Sequence, residues 1–189
     1  MRERLKDRRR EIAMFGNLRV LAFSAVLVAM SIVCGKYLAI RGGDILRFSF
    51  ENLPILLAGM LFGPWIGAVV GVVADLIGCV LVGYAINPMV TVGAAVIGAV
   101  GGILYRITAR LPLVVRVLLS VGVAHLLGSV LVKTLGLAVF YDMPISVLML
   151  WRLLNYLIIG VLEVLLIVPI LKNRAIHSLL KKDNGRGTI

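Results

Sequence analysis

The run Leu18-Arg19-Val20-Leu21-Ala22-Phe23-Ser24-Ala25-Val26-Leu27-Val28-Ala29-Met30-Ser31-Ile32-Val33-Cys34-Gly35-Lys36-Tyr37-Leu38-Ala39-Ile40 decides the fold class. An α-helix needs ~20 apolar residues to cross ~30 Å of hydrocarbon, and this run is long enough. A basic segment precedes it, as in a signal peptide. The apolar part is too long for one, however, and no cleavage-like end separates it from a soluble remainder. It reads as a membrane span that stays in the protein.

The rest of the chain repeats that pattern. Of 189 residues, 61% are hydrophobic and 15% charged, and the mean hydropathy is +1.06. Soluble domains are about half apolar and roughly a quarter charged, so an ordinary soluble fold is excluded. Apolar runs punctuated by charge, Pro and Gly predict spans at 18–40, 48–63, 65–83, 88–106, 114–138 and 146–171. The second is short, opens on a polar cluster and is expected to be tilted or partly irregular. The expected fold is an all-α membrane protein, a compact bundle of six transmembrane helices spanning 18–171. Basic cytoplasmic segments, 1–17 and 172–189, flank it.

Charge placement sets the expected orientation. Seven of the 20 Lys and Arg residues lie at or before Arg19. Five more lie in the tail (Lys172, Arg174, Lys181, Lys182, Arg186), and Arg106, Arg110 and Arg116 share one loop. That leaves Lys36, Arg41, Arg47, Lys133 and Arg152. The positive-inside bias then puts both termini in the cytoplasm, where the basic ends face anionic lipid and not nucleic acid. Cys34 and Cys79 lie in apolar runs without metal-ligand spacing and read as inert buried thiols. No metal site and no cofactor are expected.

Small residues recur one turn apart: Ala25 and Ala29; Gly67 and Gly71; Ala94, Gly98 and Gly102. Such rows let helix backbones approach closely in lipid, inside the bundle or against another subunit. Ionisable groups within spans each need a reason, because placing one at the bilayer centre costs ~2.5–3.5 kcal/mol on insertion scales. With the orientation above they collect in the outer half: Lys36, Arg41, Asp44, Arg47, Glu51, Asn52, Tyr84, Asn87, Lys133, Tyr141, Asp142, Arg152 and Asn155. Glu163 is the main exception. The pattern predicts a cavity open to the outside over a closed floor. Asp75 continues the Gly67–Gly71 row and should look into the bundle. His125, Ser129 and Lys133 recur every four residues, and Arg152 and Asn155 share a face. Lys36 and Arg41 have a plain alternative as snorkelling cations, and His125 as a hydrogen-bonded bundle histidine. Lys133 and Arg152 facing one cavity would suit an anionic ligand.

No phosphate-binding Gly-x-x-x-x-Gly-Lys-[Ser/Thr], His-Glu-x-x-His, Cys-x-x-Cys or Gly-x-Ser-x-Gly occurs. The chain is read as a non-enzyme that needs outside help to move a ligand. A small intramembrane enzyme would require Asp75, His125 and Glu163 to converge, and Glu163 is expected nearer the inner side. A channel or holin-like oligomer would carry polar residues through the full depth.

Two stretches carry a family resemblance. Arg47-Phe48-Ser49-Phe50-x-Asn52-Leu53-Pro54-Ile55, then Leu57-Ala58-Gly59-Met60-Leu61-Phe62-Gly63-Pro64-x-x-Gly67 and Ala74-Asp75, resemble the substrate-binding S components of energy-coupling-factor vitamin transporters. Leu46-Arg47-Phe48-Ser49-Phe50 and Leu150-Trp151-Arg152-Leu153-Leu154-Asn155-Tyr156 are most similar to the folate-specific branch. Riboflavin, thiamine or a queuosine precursor are the alternatives within the class. The resemblance implies a folate-binding membrane protein that works with a transmembrane coupling subunit and two cytoplasmic ATPases. The S component captures vitamin outside and topples in the membrane to deliver it. Ala25 and Ala29 would be the docking motif, and Arg41, Gly42, Gly43 and Asp44 would lie in a mobile covering loop. Phe48, Phe50, Tyr84, Tyr141 and Tyr156 would wall the pterin ring. Asn52 and Asn155 would read its edges, Lys133 or Arg152 would meet the glutamate carboxylates, and Arg47 and Asp75 would complete the site.

Overall fold

Asn17 opens the first helix: its side chain accepts the Arg19 backbone N–H at 3.0 Å, satisfying a donor the helix start would leave free. The computed structural model describes residues 16–42, 46–141 and 145–173. Helix α1 runs Leu18–Ile32 and continues into a wider π turn, Val33–Tyr37. A ribbon of two three-residue antiparallel strands follows, β1 (Ile40–Gly42) and β2 (Leu46–Phe48), pairing Ile40 with Phe48, Arg41 with Arg47 and Gly42 with Leu46. This ribbon is the one departure from helix among the described elements.

Helix α2 (Asn52–Phe62) is the stretch expected as the second span. At ~1.5 Å per residue its 11 residues extend ~16 Å, about half the hydrocarbon thickness. All of them except Leu61 are buried, so it is a plug that the other helices surround. Gly63, at φ 113°, makes the sharp corner into α3 (Pro64–Val82), whose first residue is a proline that needs no N–H there. Gly83, at φ 72°, ends α3 in the left-handed conformation. Helix α4 (Pro88–Ile107) is capped by Asn87, which also donates from Nδ2 to the Gly136 carbonyl at 2.9 Å. Helix α5 starts as Leu113–Ala124, widens into a π-helical stretch at His125–Val132 and returns to α geometry at Lys133–Tyr141. Helix α6 is Ile145–Lys172.

Six helical segments are therefore present among the described residues. Five are long and apolar enough to cross a membrane, and α2 is the short one. Their outward faces are greasy: Leu18, Val26, Ile107, Val139, Leu157 and Leu165 are all more than half exposed, as lipid-facing residues are. The inner faces meet through glycine. A Cβ on Gly98 would strike the Gly67 carbonyl, one on Gly67 would lie 2.6 Å from the Gly59 Cα, and one on Gly102 2.6 Å from the Gly59 carbonyl oxygen. The Gly67–Gly71 and Ala94–Gly98–Gly102 rows are thus internal seams joining α2, α3 and α4. Ala25 and Ala29 differ, because both are exposed on the outer face of α1.

Candidate functional site

The end of the bundle that carries the ribbon is polar inside. Lys133 begins the last part of α5, and its stem lies across Gly93 of α4, where a side chain would collide with it. The residue is only 3% exposed, far too buried to hold a lone charge. Its Nζ donates to Glu51 Oε1 at 3.2 Å and to Asn52 Oδ1 at 3.4 Å. Glu51 stands at the entrance to α2, where Ser31 of α1 donates to its backbone carbonyl at 2.6 Å. Gly35 packs against the same residue, close enough that a Cβ there would sit 2.8 Å from the Glu51 Cβ. On the other side, Thr91 of α4 donates to Asp75 Oδ2 at 2.7 Å. Asp75 and Arg152 both lie near enough for their charges to act on Lys133. Ser31, Lys36, Glu51, Asp75 and Lys133 line one small cavity of about 20 Å³, room for little more than a water.

The expected site residues divide into groups. Asn52, Asp75 and Lys133 meet as described. Arg152 is half-buried, with its guanidinium carbon 5.8 Å from the Tyr156 ring centroid. Asn155 is buried at 8% exposure. Two donor atoms at this end are buried without a partner among the described residues: Asn52 Nδ2 and Arg152 Nη1. Phe48 is half-buried, and Phe50 leans on the hydrophobic core. Tyr84 is 39% exposed in the α3–α4 connection, with the Lys36 ammonium 5.4 Å from its ring centroid. Arg41, Gly42 and Arg47 lie in the ribbon, where only the backbone is described; Tyr141 ends α5 on the same terms. Gly43 and Asp44 lie outside the described residues.

Tyr156 stands between this polar end and a second feature: its phenol lies near enough to act on Lys133, and Arg152 stands over its ring. Its ring stacks on His125, with centroids 4.8 Å apart, at the wall of an apolar groove of about 270 Å³ between α5 and α6. His125 Nε2 is 2.5 Å from Glu163 Oε2, and its Nδ1 is 3.2 Å from Ser129 Oγ. Sequence depth alone put Glu163 away from the other candidates, yet it meets His125. The reason is a cross-helix contact between α5 and α6, which neither helix's own spacing encodes. Asp75 stays with Thr91 in the other cavity, so the three groups an enzyme would need do not share one pocket. Glu51, Ser31, Lys36 and Thr91 are residues of this end that sequence reasoning did not assign to the site. An acid directly before Asn52 was the available signal for Glu51.

Residues 19–171 match the family described as "ECF transporter, substrate-specific component". The chain belongs to this family. It is a multi-pass membrane protein of a family of transporter substrate-binding components. Over 143 residues it is 27% identical to the folate transporter FolT of Clostridium novyi (strain NT), covering 74% of this chain and 80% of that protein. A shorter stretch of 68 residues is 35% identical to the uncharacterized protein MG313 homolog of Mycoplasma pneumoniae (strain ATCC 29342 / M129 / Subtype 1), covering 36% of this chain and 24% of that one. The fold matches a crystal structure of FolT bound with folic acid at a TM-score of 0.63 and 23% identity, covering 80% of this chain and 90% of that one.

Proposed function

We propose that this chain captures folate at the outer face of the cell membrane for uptake by an ATP-driven energy-coupling-factor transporter, without chemistry of its own. The observation that carries the reading is a buried ammonium, Lys133, at the same end of the bundle as two buried donors, Asn52 Nδ2 and Arg152 Nη1. The two donors without acceptors are costly, and an acceptor-rich anion beside the ammonium relieves both. Folate is such an anion: its pterin edge accepts hydrogen bonds, and its glutamate tail carries two carboxylates. The FolT relative supports the same ligand. Thiamine, a cation, fits this end poorly. The basic N-terminal and C-terminal segments support cytoplasmic termini, which turns the ribbon end outward.

Calorimetry on the purified chain tests the reading. Folate binding at one per chain, with no other subunit present, is the expected result; no heat with folate, beside a clear signal for another vitamin, overturns it.

The partners in this reading are a transmembrane coupling subunit and two cytoplasmic ATPases, with α1 as the docking face. Ala25 and Ala29 suit that role because they leave a shallow exposed strip between the larger Leu21, Val26 and Met30. Ala25→Leu and Ala29→Leu should leave folate affinity within about twofold, since surface changes usually cost under ~0.5 kcal/mol. Uptake by cells expressing the full transporter should nevertheless fall to background. Loss of binding in the purified variants would make the strip internal packing instead.

A further inference from the structure

Lys133 is already neutralised by a carboxylate of its own chain, so a ligand carboxylate meets an occupied cation. Glu51 Oε1 lies 3.2 Å from Lys133 Nζ, and the cavity around the pair holds about 20 Å³. Drug-sized ligands occupy pockets of roughly 300–1,000 Å³, so nothing of that size enters while these side chains stay put. The two partners are unequally placed. Lys133 is 3% exposed and Glu51 22%. The ammonium has nowhere else to go, whereas the carboxylate has a path to water.

We propose that Glu51 is a displaceable internal counter-ion: it holds Lys133 in the unliganded protein and is exchanged for a carboxylate of the arriving ligand. The exchange keeps the buried ammonium paired throughout, which avoids the large penalty of a lone buried charge. It also sets the affinity. A ligand without a carboxylate cannot replace Glu51, and one with a carboxylate must compete with it. Ser31 holds the Glu51 backbone carbonyl, and Gly35 gives room to the Glu51 Cβ and Oε2 alike, so releasing Lys133 takes a rotation of the Glu51 side chain over Gly35. Glu51 is thus a positioning residue that acts through Lys133: it tempers the affinity for a carboxylate-bearing ligand and leaves one without a carboxylate unaffected.

This inference rests on the folate reading, and the experiment separates the two. Folate and a carboxylate-free pterin are titrated calorimetrically into wild-type protein and into Glu51→Gln. With the competitor gone, folate affinity should rise by about tenfold or more, because close buried charge pairs carry couplings of at least that size. Affinity for the carboxylate-free pterin should change by less than about threefold. Equal or greater loss of the carboxylate-free pterin overturns the proposal and makes Glu51 a reader of the ring. Unchanged or weakened folate binding overturns it as well. Wild-type protein that binds neither ligand sinks the folate reading together with this one. Should Glu51→Gln fail to purify folded, Glu51→Asp decides: the shortened acid keeps its charge but reaches Lys133 poorly, so folate should bind more tightly than to wild type, and no gain overturns the proposal.

Discussion

Lys133→Ala lowers folate affinity by about 100-fold while leaving a carboxylate-free pterin within about threefold. The first figure follows from burial. Removing one member of a buried, hydrogen-bonded charge pair costs ~2–5 kcal/mol, and each ~1.4 kcal/mol is a factor of ten. The lower half of that range applies, because Glu51 already competes for the ammonium in the free protein. The second figure follows from geometry: the alanine leaves the Asn52 amide in place, buried and with a donor still available to a ring. Arg152→Ala should show the same selectivity with a smaller loss, about tenfold, since its guanidinium is only half-buried. Paired titrations of both ligands check this. Equal losses for folate and the carboxylate-free pterin would remove the carboxylate role from these cations.

The second large effect concerns folding. Gly98→Ala places a methyl group on the Gly67 carbonyl at the crossing of α3 and α4, where backbone and not a flexible side chain is in the way. Overpacking a well-fitted interior costs ~1–3 kcal/mol and more where nothing yields, so a loss of at least ~3 kcal/mol is expected. Gly98→Leu should yield no folded protein in detergent. Gly122→Ala is the matched control, because a Cβ there meets nothing within 4 Å. Relief of the glycine penalty, ~1 kcal/mol in soluble helices, makes that change neutral or slightly stabilising. Thermal unfolding of the purified variants ranks them; a Gly98→Ala melting point equal to that of Gly122→Ala would mean the helices separate there at no cost.

Much of this architecture follows from local pattern. Apolar runs broken at Gly63-Pro64, Gly83 and Asn87-Pro88 place the helix boundaries, because Gly, Pro and Asn act on the backbone where they stand. The glycine seams of α3 and α4 were equally legible, as was the shortness of α2. What escaped is non-local or depends on backbone detail. The ribbon strands are three residues each, too short for any alternation to show. The Lys133–Glu51 pair joins residues 82 apart in sequence, and the His125–Glu163 pair residues 38 apart. Helical spacing places a residue on a face but does not name the group opposite. Tyr156 illustrates this: its place beside Arg152 pointed to the polar end, and the stacking of its ring on His125 of α5 was not readable from that.

The wide stretch of α5 has a consequence for insertions and deletions. There the Lys133 N–H bonds the Gly128 carbonyl, five residues back instead of four. Turns of that kind hold surplus residues that an ordinary helix would not accommodate at the same pitch. Deleting one residue between Leu126 and Val132 would let the segment tighten. Everything after it would keep its phase around the axis, because the surplus residue is the one lost. The same deletion in the ordinary α-helical part, Leu113–Ala124, would instead turn all that follows by about 100°. Hydropathy would scarcely change there, yet the ammonium would swing out of phase with its acid and toward the acyl chains. A single-codon loss is thus better absorbed in the wide stretch than in the helix before it.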